Sequence, residues 1–150
     1  MRTRRFLASA TLVLALAGIA APPASAGPAR GKALSYINQL RAQHGVAPLR
    51  ISRSLNRSAN AYARRMQRHN YYGHASRIQA SQAFSAVGEV IHIHEGRKPK
   101  PRYIVRGWRR SPIHRQVLID PRFRYIGIGK SFGRMGRWRA TTWVAHLGRR

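Results

Sequence analysis

The chain contains no cysteine. Its fold is therefore not held by disulfides, although its first residues point to a compartment where disulfides can form. Residues 1–26 read as a secretory signal peptide. Arg2, Arg4 and Arg5 make a positive end, residues 6–21 are apolar, and Ala24-Ser25-Ala26 is a small-residue cleavage site. The apolar run is short for a spanning helix, so no transmembrane span is expected after cleavage. Cleavage leaves residues 27–150, enough for one domain around a single core. The missing thiols exclude cysteine nucleophiles, thiolate metal sites and thiol redox chemistry.

Residues 27–33 read as a Gly/Pro/Ala linker and residues 34–150 as the domain. Leu34, Ile37 and Leu40 share one helical face, which predicts a helix over about residues 32–44 with Gly45 as its stop. A second helix follows Ser52, a capping residue, with Leu55, Ala59, Tyr62, Ala63 and Met66 at helical spacing. Residues 70–76 read as a turn, 78–86 as a short helix and 88–94 as an extended piece. A helix is expected over 101–110, opening on Pro101, and a shorter one after Pro112. Residues 125–132 and 138–147 alternate as strands, joined by a turn between Gly133 and Gly136. Trp108, Trp138, Trp143, Tyr103 and Tyr125 are assigned to the core. Helices followed by a few strands give an α+β class.

Charge narrows the partners. Lys and Arg number 29 against 3 Asp and Glu, a formal net charge of +26. Losing Arg2, Arg4 and Arg5 with the leader brings it to +23. Such a surface favours anionic cell-wall polymers or anionic lipids. Arg53, Arg57, Arg64 and Arg68 lie opposite the apolar face of the second helix, as a solvated face or as a polyanion-binding stripe. Aromatic residues already placed by helix and strand spacing leave no stacking platform, so specific nucleic-acid recognition is not expected.

Five segments carry a family resemblance. The richest is GWRRSPIHRQVLIDPRFRYIGIG, residues 107–129, with Trp108, a Ser111-Pro112 break and His114. Upstream stand Tyr72-Gly73-His74-Ala75-Ser76, Gly88-Glu89, and residues 34–49 with a Gly-x-x-Pro-Leu exit; downstream stands TWVAHLG, residues 142–148. In this order they resemble the bacterial CAP (SCP-like) domain of the cysteine-rich secretory, antigen 5 and pathogenesis-related superfamily. Val90, Ile113 and Val117 depart from its usual asparagine, glycine and asparagine. The resemblance implies a three-layer αβα sandwich with a small antiparallel sheet flanked by helices, and a cleft lined by His74, Glu89 and His114.

Two imidazoles and a carboxylate suit Zn²⁺ or another divalent metal, although the tetrahedral set is incomplete. His92 and His94 form a second metal candidate if they lie on a strand, where both face one side, and His92 is near enough in sequence to enlarge the main cleft. His44, His69 and His146 fall in no motif and read as structural. The resulting expectation is a secreted, extracellular or wall-associated binding module for a metal or a small or lipid ligand. The alternatives are a metal-assisted hydrolase acting on peptide or wall material and an arginine-rich adhesin for anionic polymers. An efficient hydrolase is not expected. Only Glu89, Glu95 and Asp120 carry carboxylates, and Asp120 precedes Pro121 in a turn. A glycosidase pair could come only from Glu89 and Glu95, a serine triad would need Ser76 or Ser111, and the surrounding charge should lower histidine pKa values. Export predicts a mature terminus at Gly27. N-terminal sequencing of extracellular protein checks it, and a chain still starting at Met1 in the membrane pellet contradicts it.

Overall fold

The computed structural model describes residues 27–150. The signal-peptide segment lies outside them. Helix α1 spans Pro28–Gln43 and so takes in most of the stretch expected as linker. Pro28 in the first turn explains the early start, since its fixed φ suits a helix and its missing N–H would have no partner there. Past its end, Gly45 has φ +66°, a left-handed conformation that glycine takes without strain. Strand β1 is Arg50–Ile51. Helix α2, Arg53–Arg68, is capped by the Ser52 hydroxyl, which accepts from the Leu55 N–H at 3.4 Å. The 78–86 segment forms only a single 3-10 turn, Ser81–Ala83, because it is anchored by two separate buried residues, Ile78 and Phe84, and has no continuous apolar face. Strand β2 (Ala86–Glu95), α3 (Pro101–Arg110), α4 (Pro112–Ile119), β3 (Tyr125–Met135) and β4 (Trp138–Arg149) complete the order.

The strands run in the order β1-β3-β4-β2. β4 pairs antiparallel with both β3 and β2, as the resemblance implies. The addition is β1, which lies parallel to the start of β3 through Arg50 opposite Tyr125 and Ile51 opposite Ile126. Two residues are too few to show strand alternation in a sequence.

Three layers follow from alternation across the sheet. Val90, Ile126, Ile128, Trp143, Ala145 and Leu147 face α1, α3 and α4 and form the larger core with Ile37, Ile104, Trp108 and Leu118. Ile91 and Val144 face the other way and pack on Ala59, Ala63 and Met66 of α2. Val90 is thus a core residue, which accounts for an apolar side chain at that position. The buried Trp108 indole N–H donates to the Ile91 carbonyl at 2.8 Å. Trp138 and Tyr103, expected in the core, are instead exposed. Trp138 opens β4 at the hairpin tip, beyond the helices, and Tyr103 lies outside His92 on α3.

Buried polar groups fasten the layers. The Arg41 guanidinium is fully buried and donates to four main-chain carbonyls: Ala47 at 2.8 Å, Leu118 at 2.6 Å, Asp120 at 3.1 Å and Phe123 at 3.0 Å. It ties α1 to the connection between α4 and β3. On the other face, Gly127 and Gly129 let α2 lie against the backbone of β3. A Cβ at Gly127 would collide with Leu55 and Asn56, and one at Gly129 with Ala59 and Asn60, all main-chain atoms that cannot swing aside. Gly127→Ala should therefore cost about 2 kcal/mol or more in urea unfolding. Gly27→Ala, where a Cβ meets nothing within 4 Å, should cost much less, limited to the small preference for Gly over Ala at the α1 N-cap.

Candidate functional site

Glu89 is the centre of the site. It lies on β2 directly opposite His146 on β4, and both side chains face α2. Glu89 Oε2 accepts from His146 Nε2 at 2.9 Å, and His146 Nδ1 accepts from the buried Ser58 hydroxyl of α2 at 2.9 Å. The other oxygen, Oε1, accepts from His74 Nδ1 at 2.8 Å and from the Ala75 N–H at 2.9 Å. A carboxylate takes protons from both rings, so each imidazole has a fixed tautomer. For His74 the unprotonated nitrogen is Nε2, on the side away from Glu89. The His74 side chain is 55% exposed, whereas those of Glu89 and His146 are 6% and 1% exposed. The loop carrying His74 is pinned to α2 by Tyr62, whose hydroxyl donates to the Gly73 carbonyl at 2.8 Å. Burial, with Glu89 adding to it, pushes the Tyr62 phenol up to about 12, so it stays a donor.

His114 comes from α4, in the opposite layer, and its ring centre is 5.7 Å from that of His74. The three residues expected to line the cleft are therefore together. Burial of His114, followed by the neighbouring His74, holds its pKa below the usual imidazole value, with Glu89 partly opposing. The direction is the one expected from the chain's charge, but desolvation leads. For Glu89, burial would raise the pKa, but hydrogen bonds from His146, Ala75 and His74 outweigh it and hold the carboxyl below 4.5.

His146 is the residue that sequence reasoning assigned to structure alone. Its role follows from its register opposite Glu89, which is 57 residues away in the chain. His92 and His94 do share a face, but it is the face opposite Glu89. His94 has both nitrogens committed: Nδ1 donates to the Glu95 carbonyl at 3.0 Å and Nε2 accepts from the Trp143 indole at 3.2 Å. His92 packs edge-on against Tyr103 and lies over Gly107, whose missing Cβ gives it room. This pair does not present two free ligands, and Glu95 is exposed at the far end of β2. Among the described residues, neither Ser76 nor Ser111 bonds a histidine. Ser58 does, but it sits inside α2, where main-chain N–H groups are spent on the helix and cannot form an oxyanion hole. The four arginines of the expected stripe divide: Arg57 and Arg68 line a cavity beside His74, while Arg53 and Arg64 do not.

The donor set tests the expected metal. Among the described residues no group of three or more His, Asp or Glu side chains is placed to hold an ion. Both Glu89 oxygens already accept hydrogen bonds, which makes it the least available of the three expected ligands. Two imidazoles remain, His74 with its outward nitrogen and His114 beside it. That pair fits an open, partly hydrated divalent site and not a closed structural one.

An αβα sandwich with a carboxylate between imidazoles at one sheet edge defines the class. Residues 34–147 match the cysteine-rich secretory protein family, CAP, and the chain belongs to that family. Among relatives, it is 30% identical over 116 residues to the uncharacterised protein YkwD of Bacillus subtilis (strain 168), an alignment spanning 71% of this chain and 44% of YkwD. The chain thus corresponds to less than half of that relative. Among solved structures, an outer surface protein from Borrelia burgdorferi superposes with a TM-score of 0.67 at 20% identity, covering 85% of this chain and 96% of its own. An extracellular SCP-domain protein from Bacillus anthracis gives 0.64 at 20% identity, covering 81% of this chain and 41% of its own. At these identities the likeness is one of fold.

The low pKa of Glu89 has a definite sign. Its contribution to stability is complete above the unfolded value of 4.5 and fades as pH falls through the lower folded value. Glu89→Gln should destabilise the protein at pH 7 by about 2 kcal/mol and flatten the acid side of its stability curve. Urea midpoints measured from pH 7 down to about pH 3 check both.

Proposed function

We propose that this chain is a secreted binding module, not an efficient enzyme, and that His74 and His114 form a weak, open site for a divalent cation such as Zn²⁺. The observation that carries the reading is the Glu89 carboxylate, which takes the His74 Nδ1 proton and turns the basic Nε2 outward beside His114. A carboxylate behind a ligating imidazole fixes its tautomer and ring orientation. The depressed pKa of His114 keeps that ring neutral near pH 7, as a ligand must be. Tyr62 and the Ala75 N–H hold the His74 loop in place. A bound cation would supply a coordination point for an anionic or carbonyl oxygen of a ligand. Ser58, His146 and Glu89 form a hydrogen-bonded chain that ends on His74 and holds its ring in place.

Secretion is supported by the basic, apolar leader with its Ala-x-Ala end, and by relatives described as outer surface or extracellular proteins. Outside a cell, the arginine-rich surface favours anionic wall polymers or lipid headgroups as partners. Calorimetric titration with Zn²⁺ tests the metal reading. Binding should disappear in His74→Ala and in His114→Ala, weaken by about tenfold in Glu89→Gln, and fade below about pH 6. Unchanged titrations in both histidine variants would place the metal elsewhere. Turnover of peptide, ester or peptidoglycan substrates that needs both Glu89 and His114 would replace the binding module with a hydrolase.

A further inference from the structure

The outer side of α2 and the 71–80 segment border an open cavity of about 830 Å³ beside His74, with its arginines exposed to solvent. Arg57, Arg65 and Arg68 enter it from the helix and Arg77 from the segment opposite. Ser54 and Ser76 add hydroxyls, and no carboxylate lines it. Among the described residues, none of these four guanidiniums has an ion pair, a hydrogen-bond acceptor or an aromatic ring to rest on. Elsewhere among the described residues the arginines divide: Arg122 pairs with Asp120, Arg41 holds carbonyls, and Arg97 and Arg139 cover Phe132, whereas Arg53, Arg64 and the α3 arginines also stand without partners.

Helix physics does not account for the grouping. The dipole welcomes Arg65 and Arg68 near the α2 C-terminus, but it opposes Arg57 near the start and says nothing of Arg77. Arg65 and Arg68 also repel each other across one turn. Four like charges from two elements line one cleft, and an anion bound there would offset their mutual repulsion.

We infer that this cavity binds a ligand carrying two or more phosphate groups. Guanidinium forks match phosphate oxygens bidentately, and four of them exceed what one carboxylate can engage. The volume is that of a small-molecule site, so it takes a compact phosphate ester or a few units of a phosphodiester chain. The site differs from the stripe expected along α2, since Arg65 and Arg77 replace Arg53 and Arg64. It goes beyond the metal reading, because no metal is needed for it.

The test is calorimetry of the full-length secreted protein in EDTA at about 0.15 M salt, which screens diffuse attraction. The probes are inorganic pyrophosphate and, separately, a glycerol-phosphate oligomer. Saturable binding of at least one probe is expected, weakened by about tenfold or more in R57Q/R65Q/R77Q. R102Q/R106Q/R109Q on α3 removes the same charge outside the cavity and should bind within about twofold of the parent. R57K/R65K/R77K keeps charge and helix but loses the forks, and should still lose about fivefold. It carries the test if the glutamine variant unfolds. Pyrophosphate binding points to a small soluble ligand with adjacent phosphates, and binding of the oligomer alone to a phosphodiester chain. Equal losses in the two glutamine variants, unchanged affinity in the lysine variant, or no saturable binding of either probe would overturn the inference.

Discussion

The closeness of α2 to β3 is the constraint on which the site depends. Gly127 and Gly129 leave no side chain between the helix backbone and the strand. Gly127 lies opposite His146 in the β3–β4 register. The gap that a side chain would open there is therefore next to the imidazole that holds Glu89. With α2 at this depth, Ser58 reaches His146, Tyr62 reaches the Gly73 carbonyl, and the next helical face is turned toward the 71–80 segment. A shift of α2 outward by the size of one methyl would loosen all three contacts together.

A chain with so few acids must find other partners for its buried cations. Arg41 shows how. Its guanidinium is held entirely by carbonyl oxygens, whose dipoles do not titrate. The carboxylates are placed with the same economy: Asp120 holds the turn at Pro121 through the Arg122 N–H and side chain, and Glu89 serves two imidazoles at once. Apart from the Asp120 turn and the Ala47 carbonyl, these fastenings join residues distant in sequence.

That distance explains what could be read from the sequence. The α3 bounds, the capped α2 and the two long C-terminal strands came from spacing within each segment, and those signals are short-range. His74, Glu89 and His114 came from segments arranged in a family order, and the structure brings them together. His146 carried no such mark, because its partner on β2 is fixed by strand register and not by neighbouring residues. β1 was too short to alternate. The division of the α2 arginines depends on where the 71–80 segment lies, and helical spacing alone could not separate Arg65 from Arg64. Trp138 was placed in the core by its aromatic character, but its position at a hairpin tip takes it past the layers.

The Arg41 contacts also have a consequence for order of assembly. They join a residue in the first helix to carbonyls 77 to 82 positions later. β2, likewise, has β4 as its neighbour in the sheet. A chain emerging N-terminus first therefore holds α1 without these carbonyls until α4 and its connection to β3 are out, and β2 without a sheet neighbour until the last strand is out. β4 lies between β3 and β2, so the sheet closes only when the last strand joins it, and a chain cut short before β4 leaves β2 with no strand to pair with.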